Sequence, residues 1–308
     1  MKIHLSKYQL QKKNLVNAMD ISSTHEGTLI KVTDEQNNWG VADLCPWPNL
    51  GDLELDQELK TKGSLFQRTL KLAKDDLEAR KNRVSLLSDK AVENNWLVTN
   101  LTEYPKSGTV KVKGSADVDR LSYYLKKLAQ EDIKIRLDFN SCLTASDYNY
   151  FLNQLTLDVA RKIEYIEDPT VWNFDNWQMW NQLLPLAVDF ANENPFKYPT
   201  AWSYLIIKPT RQEAKTLVQM CRSLNKKFSL TSAMDHPVGL AHGLRFAQKY
   251  SENINGFLTL DLYQPTEFNS YFKIEENRMS FSESALDSFG IGMADVLNRL
   301  DWVRYESL

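Results

Sequence analysis

The pattern of apolar and polar residues near the start of the chain predicts a small antiparallel sheet followed by a helix. Thr28 to Thr33 is rich in β-branched residues, and a second short run, Trp39 to Ala42, follows a polar turn at residues 35–38. Two such runs are typical of a β-hairpin whose loop is longer than two residues. From Ser64 to Arg83, apolar residues recur at roughly helical spacing, with charged residues between them. We therefore expect residues 1–95 to form an α+β domain.

From about Trp96 onward, short apolar strands alternate with amphipathic helices. The predicted strands are Leu97 to Asn100, Thr109 to Lys113, Ile133 to Asp138, Ile163 to Glu167, Leu186 to Asp189, Tyr204 to Lys208, Phe228 to Ser232 and Phe257 to Leu260. The clearest helical patterns between them are Asp117 to Ala129, Ala145 to Ala160, Arg211 to Leu224 and Val238 to Tyr250. Repeated βα units of this length indicate parallel strands. Their number fits a barrel better than an open sheet, although a doubly wound sheet would give a similar pattern.

Composition excludes several classes of protein. Of 308 residues, 43% are hydrophobic and 25% charged, which is typical of a globular protein and not of a disordered one. The net charge of −3 offers no basic surplus, so we expect no nucleic-acid partner. No apolar run approaches the roughly 18 residues that span a bilayer, and Met1 to Leu10 lacks the apolar segment of a signal peptide. The three cysteines form no CxxC pair and suggest neither a disulfide framework nor a zinc site. We expect a cytoplasmic protein that does not associate with membranes.

Charged side chains end five consecutive predicted strands. In chain order they are Lys113, Asp138, Glu167, Asp189 and Lys208. Alternation along the first of these strands places Lys111 on the same face as Lys113. In a barrel of parallel strands, the carboxyl ends surround one opening, which is where catalytic groups lie. We therefore expect these side chains to converge.

Three carboxylates from adjacent strands would repel one another strongly in a semi-enclosed site. A hard divalent cation relieves this repulsion, and oxygen-only ligands with room for water and substrate favour magnesium over zinc. Asp138, Glu167 and Asp189 are therefore candidate ligands of Mg²⁺, with Mn²⁺ able to replace it.

The lysines of this series would lie on opposite sides of the metal. A lysine acts as a base near neutral pH only when its pKa is lowered, and a neighbouring ammonium group or a cation lowers it. Lys111 would supply such an ammonium group beside Lys113. Together, the lysines and the metal ligands indicate an enzyme that removes a proton from the carbon α to a carboxylate, with the metal stabilising the resulting enediolate. Each residue alone would more often be a surface charge or a helix cap, so the order and phase of all five favour the catalytic interpretation.

These residues resemble the enolase superfamily, and the resemblance covers most of the chain. The segments that resemble it are Glu26-Gly27, Trp39-Gly40 and the Pro46/Pro48 stretch, then Lys-x-Lys, Leu-Asp-Phe-Asn, Ile-Glu-Asp-Pro and Ile-Ile-Lys-Pro-Thr in family order. The resemblance implies an α/β fold, a (β/α)7β TIM-like barrel with an N-terminal α+β capping domain. Residues 1–95 would form the capping domain, and residues 96–308 the barrel with a C-terminal segment that packs back toward the cap.

The resemblance also implies a role for each residue. Lys113 would be the general base and Lys111 an auxiliary lysine. Asp138, Glu167 and Asp189 would hold Mg²⁺. Lys208 would face the other side of a small-molecule carboxylate substrate and stabilise the enolate.

Within the superfamily, the short chain and residues 231–235, followed by Val238-Gly239-Leu240, are similar to o-succinylbenzoate synthases. In that family, the matching hydroxyl-rich stretch helps to bind the succinyl side of the substrate. Thr231 and Ser232 would do so here through hydroxyl and backbone N–H groups. The implied reaction is a syn loss of water from a cyclohexadiene carboxylate, which gives the aromatic o-succinylbenzoate of menaquinone synthesis.

Several alternatives remain open on the sequence alone. A dipeptide epimerase or N-acylamino acid racemase uses the same two lysines, but the Thr259-Leu260-Asp261-Leu262 segment lacks the Asp-x-Asp expected of an amine-binding epimerase. A muconate cycloisomerase fits less well. A catalytically silent barrel that serves as a binding scaffold, or an open-sheet binding protein, would belong to another class. The sequence does not set the oligomeric state.

Histidines and tryptophans outside this series are interpreted as structural. His236 and His242 are expected to start a helix or to pack, and not to bind a metal. Trp172, Trp177 and Trp180 are expected to lie in the core or against the cap.

Overall fold

A computed structural model describes residues 1–13, 22–191 and 193–306 of the chain. Its strands are β1 (Lys2–Gln11), β2 (Thr24–Thr33), β3 (Trp39–Leu44), β4 (Val92–Glu93), β5 (Trp96–Val98), β6 (Ser107–Lys113), β7 (Asp132–Asp138), β8 (Ile163–Glu167), β9 (Leu186–Val188), β10 (Tyr204–Ile207), β11 (Lys227–Leu230), β12 (Phe272–Glu275), β13 (Arg278–Phe281) and β14 (Val303–Arg304). Most of the strands expected from the sequence are present, with ends that differ by at most two residues except that β2 starts four residues earlier.

The α-helices connect and cover these strands. They are α1 (Leu55–Thr61), α2 (Ser64–Lys81), α3 (Val118–Leu128), α4 (Ala145–Gln154), α5 (Leu157–Lys162), α6 (Phe174–Asn181), α7 (Ala214–Ser223), α8 (Pro237–Tyr250), α9 (Glu283–Leu286) and α10 (Ala294–Leu297). In the described part of the chain, none of them has the length and apolarity that crossing a bilayer requires.

The N-terminal region is an antiparallel sheet with a long helix packed on one face. Its strand order is β14-β1-β2-β3. Buried residues of β2 and β3, such as Ile30 and Ala42, pack against Phe66 and Ala73 of α2. β1 pairs with β2 along its whole length but buries few side chains, so the sequence pattern does not reveal it. β14, near the end of the chain, pairs with the outer edge of β1.

Within the described residues, seven parallel strands form a curled sheet in the order β11-β10-β9-β8-β7-β6-β5. Its two edges are joined by residues 255–256, because Gly256 bridges Thr231 after β11 and Asn255 bridges Asn94 before β5. The chain therefore has the TIM-like barrel and the N-terminal antiparallel domain that the sequence predicts. Trp177, Trp180 and Trp202 are fully buried around the barrel.

The predicted eighth strand, Phe257 to Leu260, is wrong in its position. The segment that closes the barrel is the polar pair before it, and residues 260–262 form a 3₁₀ turn instead. Asparagine side chains replace the missing strand pairing, since Asn94 Oδ1 accepts the Phe257 N–H at 2.8 Å. Because polar side chains close the barrel here, the alternation of apolar residues in the sequence does not predict this closure.

The predicted helix from Ala145 to Ala160 is two helices. Leu155 adopts an extended conformation after α4, and the Thr156 hydroxyl accepts the Val159 N–H to start α5. Threonine is a favourable N-cap, so a new helix begins there. Between β9 and β10 the described residues form short 3₁₀ turns, Pro195–Lys197 and Pro199–Ala201, where the sequence shows little helical pattern.

Candidate active site

Strand register places three of the predicted residues side by side at the carboxyl end of the barrel. Lys113 of β6 pairs with Asp138 of β7, which pairs with Glu167 of β8. Because alternate residues of a strand point to the same face, Lys111 lies one level deeper on the same side as Lys113. Regular β-structure alone therefore brings these four side chains together.

The ammonium groups of the two β6 lysines contact the buried carboxylates. Lys111 Nζ lies 2.9 and 2.8 Å from the Glu167 oxygens and 2.9 Å from Asp138 Oδ2. Lys113 Nζ lies 2.7 Å from the same Asp138 oxygen and 3.2 Å from Asn140 Oδ1. The Lys113 side chain is 28% exposed and that of Lys111 14%. Lys113 is therefore the lysine with the better access to a substrate.

A second ion pair lies across the opening. Lys208, the residue after β10, contacts Asp189 Oδ2 through its ammonium group. In the sheet, β10 is separated from β6 by β9, β8 and β7. The lysines at residues 113 and 208 therefore approach the opening from well-separated strands of the sheet.

Burial and neighbouring charges set the protonation of this site. Burial raises the pKa of Asp138, but the ammonium groups of Lys111 and Lys113 outweigh this and hold the pKa well below its usual range. Burial, followed by the charge of Asp138, raises the pKa of Glu167 to about 7. Burial lowers the pKa of Lys111, yet the two carboxylates raise it well above its usual value. Lys111 is therefore an ammonium group at neutral pH and not a base.

Three further residues of the site escape detection from the sequence. The Asp168 carboxylate accepts the backbone N–H groups of residues 189 and 190 at 3.1 and 2.9 Å, so it fixes the backbone of Asp189. Asn140 has a positive φ of 47° and contacts Lys113. Arg136 is fully buried beside Lys111 in the register and pairs with Glu164 at 2.7 Å. Asp168 and Asn140 lie next to strand ends, which is the one signal that the sequence gives for them.

The three strand-end carboxylates do not surround a single point in this arrangement. Among the described residues, the group of three potential ligands with atoms within 4.8 Å of one another is Asp43, Cys45 and Asp235. The strand-end oxygens contact lysines instead, and Asp189 turns toward Lys208. Their donor chemistry fits a hard cation, because carboxylate oxygens from three strands face one semi-enclosed opening. To share that cation, Asp189 would have to exchange its contact with Lys208 for the metal.

The Asp43, Cys45 and Asp235 group lies between the N-terminal sheet and the loop after β11, and protein donors already satisfy its carboxylates. These donors are the Tyr8 and Thr210 hydroxyl groups and the backbone N–H groups of Ala233 and His236, at 2.6 to 2.9 Å. Burial raises the pKa of both carboxyl groups. Donors that point at every carboxylate oxygen indicate a structural hydrogen-bond network and not a metal site.

Thr231 and Ser232 lie directly after β11, where the barrel closes. Their backbone N–H groups donate to the carbonyls of Ile207 and Gly256, both at 3.0 Å. The Ser232 hydroxyl contacts Thr259 at 2.8 Å and accepts the Met234 N–H. Since these N–H groups serve the barrel, the expectation that they bind substrate is wrong. A substrate could engage the Thr231 hydroxyl directly, and the Ser232 hydroxyl only by replacing its contact with Thr259.

The two histidines near this loop have structural contacts. His236 precedes α8, and its Nδ1 accepts the Val238 N–H at 3.1 Å. His242 Nε2 lies 2.9 Å from the Val41 carbonyl of β3. His236 therefore caps the start of a helix and His242 packs against the N-terminal sheet, as the sequence predicts.

Comparison with known proteins gives two kinds of likeness. Residues 3–79 match the family model of the o-succinylbenzoate synthase N-terminal domain. An o-succinylbenzoate synthase from Bdellovibrio bacteriovorus is 29% identical over 326 aligned positions, which cover 98% of each chain.

Solved structures of low sequence identity share the fold. A dipeptide epimerase from Cytophaga hutchinsonii, complexed with Mg and the dipeptide D-Ala-L-Val, has a TM-score of 0.77 at 13% identity and covers 99% of each chain. A member of the enolase superfamily from Listeria innocua has a TM-score of 0.76 at 14% identity and covers 100% of this chain and 99% of its own.

Proposed function

We propose that this chain, which has the enolase-superfamily fold and resembles o-succinylbenzoate synthases, is a hydro-lyase of that type. Its reaction is the syn loss of water from 2-succinyl-6-hydroxy-2,4-cyclohexadiene-1-carboxylate, which gives o-succinylbenzoate for menaquinone synthesis. The full-length likeness to a curated synthase and the matching N-terminal domain support this proposal. The single structural observation that supports it is that Lys113 pairs with Asp138 and Lys208 with Asp189, while three strands separate β6 from β10 in the sheet.

The proposed metal is Mg²⁺, held by Asp138, Glu167 and Asp189, and Mn²⁺ can replace it. When bound, this cation neutralises the second negative charge that develops on the substrate carboxylate after proton loss. The buried Lys111 ammonium beside Asp138 and Glu167 adds fixed positive charge to the same side. Asp168 holds the backbone of Asp189 and so orients the carboxylate that must turn from Lys208 to the cation.

Lys113 is the proposed base. As the free amine it takes the proton from the carbon α to the substrate carboxylate, which leaves an enediolate. In a syn elimination the hydroxyl group leaves from the face that lost the proton. The Lys113 ammonium can therefore return that proton to the departing hydroxide as water, so one lysine serves both halves of the step.

Lys208 is proposed to lie against the opposite face of the ring as an ammonium group. There it stabilises the negative charge of the enediolate without taking part in proton transfer. The hydroxyl groups of Thr231 and Ser232 are proposed to bind the succinyl side of the substrate. The carboxylate substrate is the proposed partner, with no nucleic acid, and the proposed location is the cytoplasm.

A second candidate function is racemisation or epimerisation at a carbon next to a carboxylate. Two lysines on opposite faces suit it, and the dipeptide epimerases share the fold. A dipeptide epimerase needs an acidic group for the substrate amine. Asp261, the acidic residue after the barrel closure, has a side chain that is 94% exposed and pairs with Lys13 at 3.4 Å. This exposed position favours dehydration over dipeptide epimerisation.

One assay panel separates these two functions. The purified chain is incubated with Mg²⁺ and either the cyclohexadiene carboxylate, N-succinyl amino acids or dipeptides, and both product formation and loss of optical rotation are followed. We expect dehydration to have the highest kcat/KM. Epimerisation of a dipeptide with no dehydration would refute the proposal.

A further inference from the structure

The loop that follows β10 sets the position of Lys208 through its own backbone. The Lys208 carbonyl accepts the N–H groups of Arg211 and Gln212 at 2.9 and 3.0 Å. The Lys208 N–H donates to the side chain of Gln212 at 2.8 Å. Residues 208–213 therefore form a compact turn, and a shift of any part of this turn moves the lysine.

An arginine of the N-terminal domain holds this turn from outside the barrel. Arg68 of α2 donates to the Pro209 carbonyl through Nε at 3.1 Å and through Nη2 at 2.7 Å. Its Nη1 reaches Glu213 at 3.0 Å, at the other end of the turn. The Arg68 side chain is 10% exposed, so the guanidinium is fixed in this place.

Of the contacts that Arg68 makes, the hydrogen bonds to the Pro209 carbonyl contribute most to holding the turn. Pro209 is buried, and no backbone N–H of the described residues donates to its carbonyl. A charge-assisted, forked hydrogen bond to a buried carbonyl is stronger than an ordinary one and restricts its direction. The Glu213 side chain is 55% exposed, so its ion pair with Arg68 contributes little.

We propose that Arg68 is a positioning residue for Lys208, which acts through the Pro209 carbonyl and never touches the substrate. This inference rests on the proposed function, because it takes Lys208 as the lysine that faces the second side of the substrate. Through this contact the N-terminal domain helps to set the catalytic geometry of the barrel. A displacement of about 1 Å in a catalytic group can cost about 100-fold in rate.

The chain offers a matched control on the same helix. Lys71 lies one turn from Arg68 and pairs with the same Glu213 at 2.7 Å, but it donates no hydrogen bond to the Pro209 carbonyl. Arg68→Met and Lys71→Met each remove one positive charge and one Glu213 contact. Only Arg68→Met removes the hydrogen bonds to the Pro209 carbonyl.

The experiment compares the wild type with Arg68→Met, Arg68→Lys and Lys71→Met. Steady-state dehydration gives kcat and KM, and amide hydrogen exchange is followed in peptides that cover residues 204–216. In Arg68→Met we expect kcat to fall about 10- to 100-fold with KM within about threefold, and faster exchange in the turn. Lys71→Met should match the wild type. Arg68→Lys keeps the positive charge but cannot donate the forked pair of hydrogen bonds. Its kcat should therefore lie between those of Arg68→Met and the wild type.

Each outcome decides the proposal. Equal kcat and equal exchange in Arg68→Met and Lys71→Met would overturn it, and so would faster exchange in the turn with unchanged kcat, which indicates a merely structural contact. If Arg68→Met does not fold, kcat and exchange in Arg68→Lys are compared with those in Lys71→Met. Equal values would again overturn the proposal. A wild-type chain that fails to dehydrate the substrate would refute the proposed function, while the exchange data would still test whether Arg68 holds the turn.

Discussion

At the scale of single residues, the site is a set of charges that compensate one another. Lys111 is deeper and stays an ammonium group between Asp138 and Glu167, whereas Lys113 is more exposed. The sequence identifies these residues because strand-end position and alternation are visible in it. It cannot identify Asp168, because a role that consists of holding the backbone of the next strand depends on which strands become neighbours.

Replacement of the proposed base gives the first prediction. Lys113→Ala should lower kcat by about 10³- to 10⁴-fold, because Lys111, the other lysine on that face, pairs with Asp138 and Glu167 and stays an ammonium group. Lys134→Ala is the control, since Lys134 lies on β7 with an exposed side chain. Both variants are assayed for dehydration under the same metal concentration. A kcat for Lys113→Ala within tenfold of the wild type would remove the proposed base.

The second prediction concerns His236 and stability. Burial lowers the pKa of His236 to about 3, so its ring stays neutral in the fold at pH values where the unfolded chain is protonated. The unfolded state then binds more protons below pH 6.5, and stability falls as the pH decreases from there toward about 3. His236→Asn keeps a side-chain acceptor for the start of α8 but does not titrate.

The difference in unfolding free energy between wild type and His236→Asn isolates this effect. Relative to His236→Asn, the wild type should lose about 1.4 kcal/mol of unfolding free energy for each pH unit below pH 6.5. Urea unfolding at several pH values between 7 and about 5 measures it. A difference that does not change with pH would contradict the buried neutral histidine.

At the scale of elements, short apolar runs predict the barrel strands well, since most residues of β7 to β11 are buried. The pattern fails where polar groups make the structure. β1 pairs fully with β2 while most of its side chains stay partly exposed, and the barrel closes through Asn94 and Asn255. Neither feature produces a periodic pattern of apolar residues in the sequence.

The closure itself gives a third prediction. Asn94 is fully buried, accepts the Phe257 N–H at 2.8 Å and donates to the Val92 carbonyl at 2.8 Å. Asn94→Ala should lower the unfolding free energy by about 2–3 kcal/mol, because it removes two buried hydrogen bonds, including the acceptor of the Phe257 N–H. Asn100→Ala, at an exposed position, should change it by less than about 0.5 kcal/mol. Equal unfolding midpoints for the two variants in urea would show that the asparagine does not secure the closure.

At the scale of the whole molecule, the N-terminal sheet and the barrel meet around the carboxyl ends of the barrel strands. Arg68 reaches the Lys208 loop from α2, and β14 pairs with β1 at the edge of the N-terminal sheet. The fold class follows from the sequence because repeated βα units allow few architectures. The contacts between the two regions do not follow, since they depend on single polar side chains at long sequence separation.

We propose that Asp138, Glu167 and Asp189 share one divalent cation beside Lys113 and Lys208. Titration of the purified chain with Mn²⁺, followed by electron paramagnetic resonance of the free ion, measures this directly. We expect one tight site per chain, with affinity about 10- to 100-fold weaker in Asp138→Asn, Glu167→Gln and Asp189→Asn and unchanged in the exposed-site control Asp261→Asn. Undiminished binding in all three variants, or binding lost only in Asp235→Asn, would contradict the proposed site.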